Sequence, residues 1–155
     1  MGRRGVALLL GVYLGALSLI AFWPSPVDRP YDGQLNHLLQ ALHRHGVPAW
    51  FDYSFVESGS NVLLFAPFGL LLALLLGRRW WVAAAIGCAV SCSIEIGQLV
   101  FLSARTASVA DVAVNTLGTI LGALLARAFL AGRRRRRKAS IAALPAAEDP
   151  LTTFE

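Results

Sequence analysis

Residues 80–102 read WWVAAAIGCAVSCSIEIGQLVFL and residues 109–131 read VADVAVNTLGTILGALLARAFLA. Each stretch is near the roughly 20 residues that a helix needs to cross about 30 Å of hydrocarbon. Yet Glu95 and Gln98 lie inside the first, and Asp111 and Asn115 inside the second. A charge in hydrocarbon costs at least a few kcal/mol, so it seldom sits there without a partner or a task. These two stretches therefore decide the fold class and also mark where a functional site should be sought.

Two further apolar runs lie upstream, at about 5–23 and 57–77. With 56% hydrophobic residues and 155 residues in all, the chain carries more apolar surface than a soluble domain of that size can hide. The mean hydropathy of +0.59 agrees. The expectation is an all-α integral membrane protein, a four-helix bundle crossing at about 5–23, 57–77, 80–102 and 109–131. Residues 1–138 would form a single membrane domain, followed by a disordered cytoplasmic tail over 139–155.

Basic residues set the expected orientation. Arg3, Arg4, Arg78, Arg79, Arg127 and the cluster from Arg133 to Lys138 fall at alternate ends of the four spans. The opposite connections hold only Arg29, Arg44 and Arg105. The positive-inside rule then places both termini in the cytoplasm. The formal charge of +5 is dominated by the 133–138 cluster, which is expected to hold anionic lipid heads rather than nucleic acid. The first span is followed by Trp23-Pro24-Ser25-Pro26 rather than a small-x-small cleavage site, so it reads as a retained anchor.

Between the first and second spans, Leu35, Leu38, Leu39 and Leu42 follow helical spacing with polar residues between them. This predicts a short amphipathic helix on the outer surface. Trp50, Phe51, Tyr53 and Phe55 resemble an interfacial aromatic belt. His37, His43 and His45 have no paired acid at ligand spacing and read as solvated, so no metal or cofactor is expected. Cys88 and Cys92 share a helical face in an apolar run and read as small packing residues.

The polar residues converge if the topology holds. Glu95 lies seven residues before the end of its span, and Asn115 seven residues after Ser108, a natural N-cap. Both are then roughly 10 Å deep from the same side at about 1.5 Å per residue. Asp111 stands in capping-box position after Ser108. Asn61 opens the second span. Ser91, Glu95 and Gln98 share one stripe; Asp111, Asn115, Gly118 and Gly122 share another. The small-xxx-small pair Gly118/Gly122 permits close approach and would bring Asn115 against Glu95. Arg105 is placed to bend over Glu95 and Asp111. Amides that donate and accept, with an arginine suited to phosphate or carboxylate, point to recognition of a polar head group. The plainer alternatives are that Asp111 caps a helix, that Asn115 and Gln98 join helices, and that Pro67 kinks one.

The same residues carry a family resemblance. Asn61-Val62-Leu63-Leu64-Phe65-Ala66-Pro67-Phe68-Gly69 resembles the N-x-x-x-F-x-P-x-G signature of the VanZ-like family. Glu95-Ile96-Gly97-Gln98 resembles its E-x-x-Q block. Arg105 and then Asp111, Asn115, Thr116, Gly118 and Gly122 resemble its R…D-x-x-x-N-T-x-G-x-x-x-G block. The three stand in order and cover about residues 57 to 128. The resemblance implies a small polytopic bacterial protein of the cell membrane, and the family's namesake is linked to resistance to the glycopeptide teicoplanin.

The leading expectation is a non-catalytic envelope protein that binds membrane lipids through Asn61, Glu95, Gln98, Arg105, Asp111 and Asn115. The ligand would be a lipid-linked cell-wall precursor or a lipoglycopeptide head group. The alternatives are a membrane enzyme using Glu95 or Asp111 as acid or base on a lipid phosphate or ester, a transporter, and a structural assembly factor. No nucleophile–base pair is evident for the enzyme, and the polar groups do not continue toward the cytoplasmic half. Oligomeric state is left open.

Overall fold

A computed structural model describes residues 2–23, 32–77, 79–102 and 108–142. The described residues form five helices and no strand: α1 (Arg3–Ala21), α2 (Asp32–Arg44), α3 (Tyr53–Leu76), α4 (Trp80–Phe101) and α5 (Val109–Ala142). Four of them, α1, α3, α4 and α5, are long and apolar enough to cross a membrane. Composition alone thus locates the spans; their ends are set by local chemistry.

Helix α3 starts four residues before the expected Glu57. Asp52 is extended and its carboxylate accepts from the Phe55 amide at 2.9 Å, capping the first turn. The aromatic residues expected as a belt form a small cluster around this start. Trp50 and Phe55 have ring centroids 5.2 Å apart, and Phe51 and Phe55 5.1 Å apart. His43 Nε2 donates to the Phe51 carbonyl at 3.1 Å, tying the end of α2 to the same cluster. That histidine is part-buried and bonded, not solvated as expected.

Helix α5 differs most from expectation. It does not stop near Ala131 but continues through the Arg cluster to Ala142. Ala, Arg and Lys are all strong helix formers, and no proline follows until Pro145. Its 34 residues span about 50 Å, some 20 Å beyond the hydrocarbon thickness. Arg133 turns back over the Phe129 ring, 5.7 Å from its centroid. Residues 139–142 of the expected disordered tail are therefore helical, while 143–155 lie outside the described residues.

The bundle is organised around α5, which packs most extensively on α3 and next on α4. Small residues make this possible. A Cβ on Gly118 would meet the Val62 carbonyl, and one on Gly122 would meet the backbone of Ala66 and Leu70. Gly69 lies against the Thr119 backbone, and Gly87 of α4 against the Thr119 side chain. The expected close approach through Gly118 and Gly122 is real, but it is made with α3 rather than α4.

Helix α1 leans on the outside of α3. Pro67 has no amide proton and deprives the preceding turn of α3 of a donor. In that turn the Leu64 carbonyl accepts from Tyr13 of α1 at 2.6 Å. The carbonyl that Pro67 leaves without its helical donor is that of Leu63, and the Tyr13 bond ties α1 to the next residue of the same turn.

Candidate functional site at one end of the α3–α4–α5 seam

The buried polar side chains fall in one half of the bundle: Ser91, Glu95, Gln98, Asn115 and Thr119. The other half of the seam is closed by Leu72, Ala73, Ala83, Ala123 and Ala126. The polar half contains the start of α5, the end of α4 and the first turns of α3.

Ser108 is its junction. Its hydroxyl accepts from the Asp111 amide at 3.2 Å, and its carbonyl accepts from Val112 at 3.3 Å, so it caps α5 as the sequence suggests. In a capping box the acid three residues on would return to the Ser108 amide. Here Glu95 of α4 takes that place, with Oε2 accepting from Ser108 N–H at 2.7 Å. Asp111 is shorter than the Glu or Gln usual in such a box. Its carboxylate turns instead to α3, where Oδ1 accepts from Asn61 Nδ2 at 3.4 Å. The box is thus completed between helices. Glu95, only 6% exposed, sits beside the N-terminus of α5, whose unpaired amides and dipole favour negative charge.

Asn115 lies one turn deeper and is 4% exposed. The expectation that it meets Glu95 is not realised: its Nδ2 donates to Ser91 Oγ at 2.8 Å, a turn below Glu95 on α4. With the Gly118/Gly122 stripe committed to α3, the α4 partner of Asn115 is set by the Gly87–Thr119 contact, which lies deeper. Thr119 Oγ1 donates to the Asn115 carbonyl at 3.0 Å and holds this part of the helix. Asn115 Oδ1 is buried and has no hydrogen-bond partner.

Gln98 does not join this group. Its Nε2 donates to the Ala21 carbonyl at 2.7 Å, at the last residue of α1. Neighbouring Gly97 leaves room for the Phe22 ring, which a Cβ would strike at 2.7 Å. Gln98 is therefore the strut that fastens α1 to α4. Arg105 lies outside the described residues. Of the six sequence-predicted residues, Asn61, Glu95 and Asp111 come together around Ser108, Asn115 bonds Ser91 deeper in the seam, and Gln98 serves a different contact.

Several residues that matter were not singled out from the sequence. Gly87 and Thr119 look like ordinary small residues until their partners are known. Tyr13 carried one signal, a phenol in a span facing a proline-interrupted helix. Among the described residues no three of His, Cys, Asp and Glu converge as a metal site would need.

Four long apolar helices with a polar seam at one end define a polytopic helical membrane protein. A family model described as VanZ/LLP1 matches residues 10–130, from within α1 to within α5. The chain belongs to the VanZ-like family. Neither a curated protein nor a solved structure matches it.

Proposed function

We propose that this protein is a non-catalytic, multi-pass protein of the bacterial cell membrane that binds a lipid-linked or lipophilic head group. The head group enters the polar seam from the outer leaflet, with both termini of the chain in the cytoplasm. The observation that carries this reading is Glu95: a nearly buried acid in a membrane span, joined through Ser108 to Asp111 and Asn61 on two other helices. A set of hydrogen-bonding groups at one end of a bundle, near the depth of lipid head groups, suits recognition better than passage. Arg105 belongs to this reading by its sequence position alone, and a contribution to teicoplanin-type resistance rests on the family resemblance alone.

Native mass spectrometry of the detergent-extracted chain tests the proposal. A head-group-specific lipid retained by wild type and lost in Glu95→Gln and Arg105→Ala, at unchanged thermal stability, is the expected result. The same lipid profile in all three overturns it. That outcome would favour a structural role, for which Gln98 already speaks, since its amide serves a helix end.

A further inference from the structure

The end of the bundle opposite the polar seam is positive throughout. Arg3 and Arg4 of α1, Arg79 before α4, and Arg127 and Arg133 to Arg137 of α5 are exposed there. Arg3 Nη2 donates to the Leu75 carbonyl at 3.4 Å, which sets the start of α1 beside the end of α3. Among the described residues no acid occurs in α1, in α3 after Glu57, in α4 before Glu95 or in α5 after Asp111. Of the 14 Lys and Arg in the sequence, 11 fall at this end by the order of the spans, against three acids further on, Glu148, Asp149 and Glu155.

The register of α5 against α3 shows where the densest charge stands. Gly118 meets Val62 and Gly122 meets Ala66, so the two helices run parallel. Continued along both, this register sets Leu76, the last residue of α3, about level with Gly132. Arg133 to Arg137 therefore begin where α3 ends, on a stretch of α5 that the bundle no longer covers. At about 100° per residue they point to every side of the helix. Like charges three and four residues apart destabilise a helix, and a short helix without a packing face is marginal in water. A surrounding counter-charge would remove that penalty.

We propose that this stretch is a docking surface for anionic membrane lipid, a collar of arginines that gathers several phosphate-bearing head groups around α5. It goes beyond the head-group-binding reading and concerns the other end of the molecule. Counted from Val109, about 30 Å of hydrocarbon ends near Phe129, and Arg133 covers that ring at 5.7 Å. The head-group layer adds about 5–8 Å on each side, and Arg133 to Arg137 stand about 6–12 Å beyond Phe129. They lie in that layer and within a screening length of about 8–10 Å from it. Each guanidinium can grip a phosphate through two N–H bonds. A flexible basic tail would lie along the surface, whereas a rigid helix carries its charges around a post that passes through it. Nucleic acid is the weaker fit, because it would be held against the phosphates of the bilayer.

The test exposes the full-length protein in detergent micelles to equimolar phosphatidylglycerol and phosphatidylcholine at low ionic strength, read by native mass spectrometry. Wild type should retain the glycerol lipid about ten-fold or more over the choline lipid, in several copies, and lose that preference as salt is raised. Arg135→Gln should lower the preference about five-fold. Replacing all five arginines by glutamine should abolish it, and glutamine is itself a good helix former, so α5 stays helical. Hydrogen exchange separates a collar from a tail: the amides of 133–142 should exchange more slowly in phosphatidylglycerol nanodiscs than in phosphatidylcholine ones. Equal retention of the two lipids by wild type, an unchanged preference in the five-arginine variant, or equal exchange in both nanodiscs overturns the proposal. Displacement of phosphatidylglycerol by added RNA overturns it too and assigns the cluster to nucleic acid. A lipid that Glu95→Gln releases should stay bound in the five-arginine variant, so this inference and the head-group reading fail separately.

Discussion

Replacing Gly122 by Ala tests the central packing claim with one methyl group. A Cβ there would lie 2.7 Å from the Ala66 carbonyl carbon, 2.9 Å from the Leu70 nitrogen, and nearer still to the Ala66 oxygen. All three are backbone atoms, so no side chain can rotate away. Non-bonded carbons settle at about 3.5–4.0 Å, so α3 and α5 must part by roughly 0.8 Å or more. A gap of that order forfeits about a quarter to a half of the dispersion energy along the opened contact. Overpacking of this kind costs about 1–3 kcal/mol. Alanine returns up to about 1 kcal/mol through helix propensity. The net loss is therefore between about zero and 3 kcal/mol. Gly15→Ala on α1 is the internal control, because nothing lies within 4 Å of its added Cβ. It should be neutral or stabilising by up to about 1 kcal/mol. Unfolding by SDS in mixed micelles, followed by circular dichroism, should separate the two variants by about 1–3 kcal/mol. Indistinguishable midpoints would refute the claim that α3 and α5 meet backbone to backbone.

Glu95→Leu should cost about 1–3 kcal/mol by stranding the Ser108 amide, whereas Glu95→Gln keeps an acceptor oxygen and should change stability far less; the same SDS titration compares them. Gln98→Leu should free the end of α1, seen as faster hydrogen exchange at Ala21 and Phe22 with exchange in α5 unchanged. Tyr13→Phe removes the donor to Leu64 and should cost about 0.6 kcal/mol, with about 1.7 as the upper bound for such interhelical bonds. A cost near zero would mean that the turn of α3 before Pro67 needs no outside donor.

The spans were legible because their signal is additive: some twenty apolar residues in a row outweigh any local irregularity. The polar residues were legible because they interrupt that signal. What the sequence does not contain is the register of one helix against another. Gly118 and Gly122 announce a close approach without naming the partner, and α3 and α4 were equally open to it. Likewise Ser108 and Asp111 have the spacing of a local capping box. Only the meeting of α4 with α5 reveals that Glu95 completes it. The end of α5 was misplaced for a simpler reason. Charge was read both as the end of the membrane span and as the end of the helix, and arginine does not require the second.

The distribution of polarity along the seam favours the proposed binding over transport. Counted from Ser108, Thr119 lies about 16 Å in, close to half of the roughly 30 Å hydrocarbon thickness. Beyond it the facing residues are Leu72, Ala73, Ala83, Ala123 and Ala126, packed into one apolar core. An ion or polar solute carried across would have to leave its last partner at Thr119 and pass the other half without one, at the cost that attends any polar group in hydrocarbon. The short side chains that close this half also remove the slack that a moving gate needs, since Gly69 and Gly122 already meet the facing backbone. A seam polar at one end and apolar beyond mid-depth fits the proposed binding of a ligand that enters and leaves from the same side. The proposed ligand, a head group still attached to its lipid, would meet that constraint.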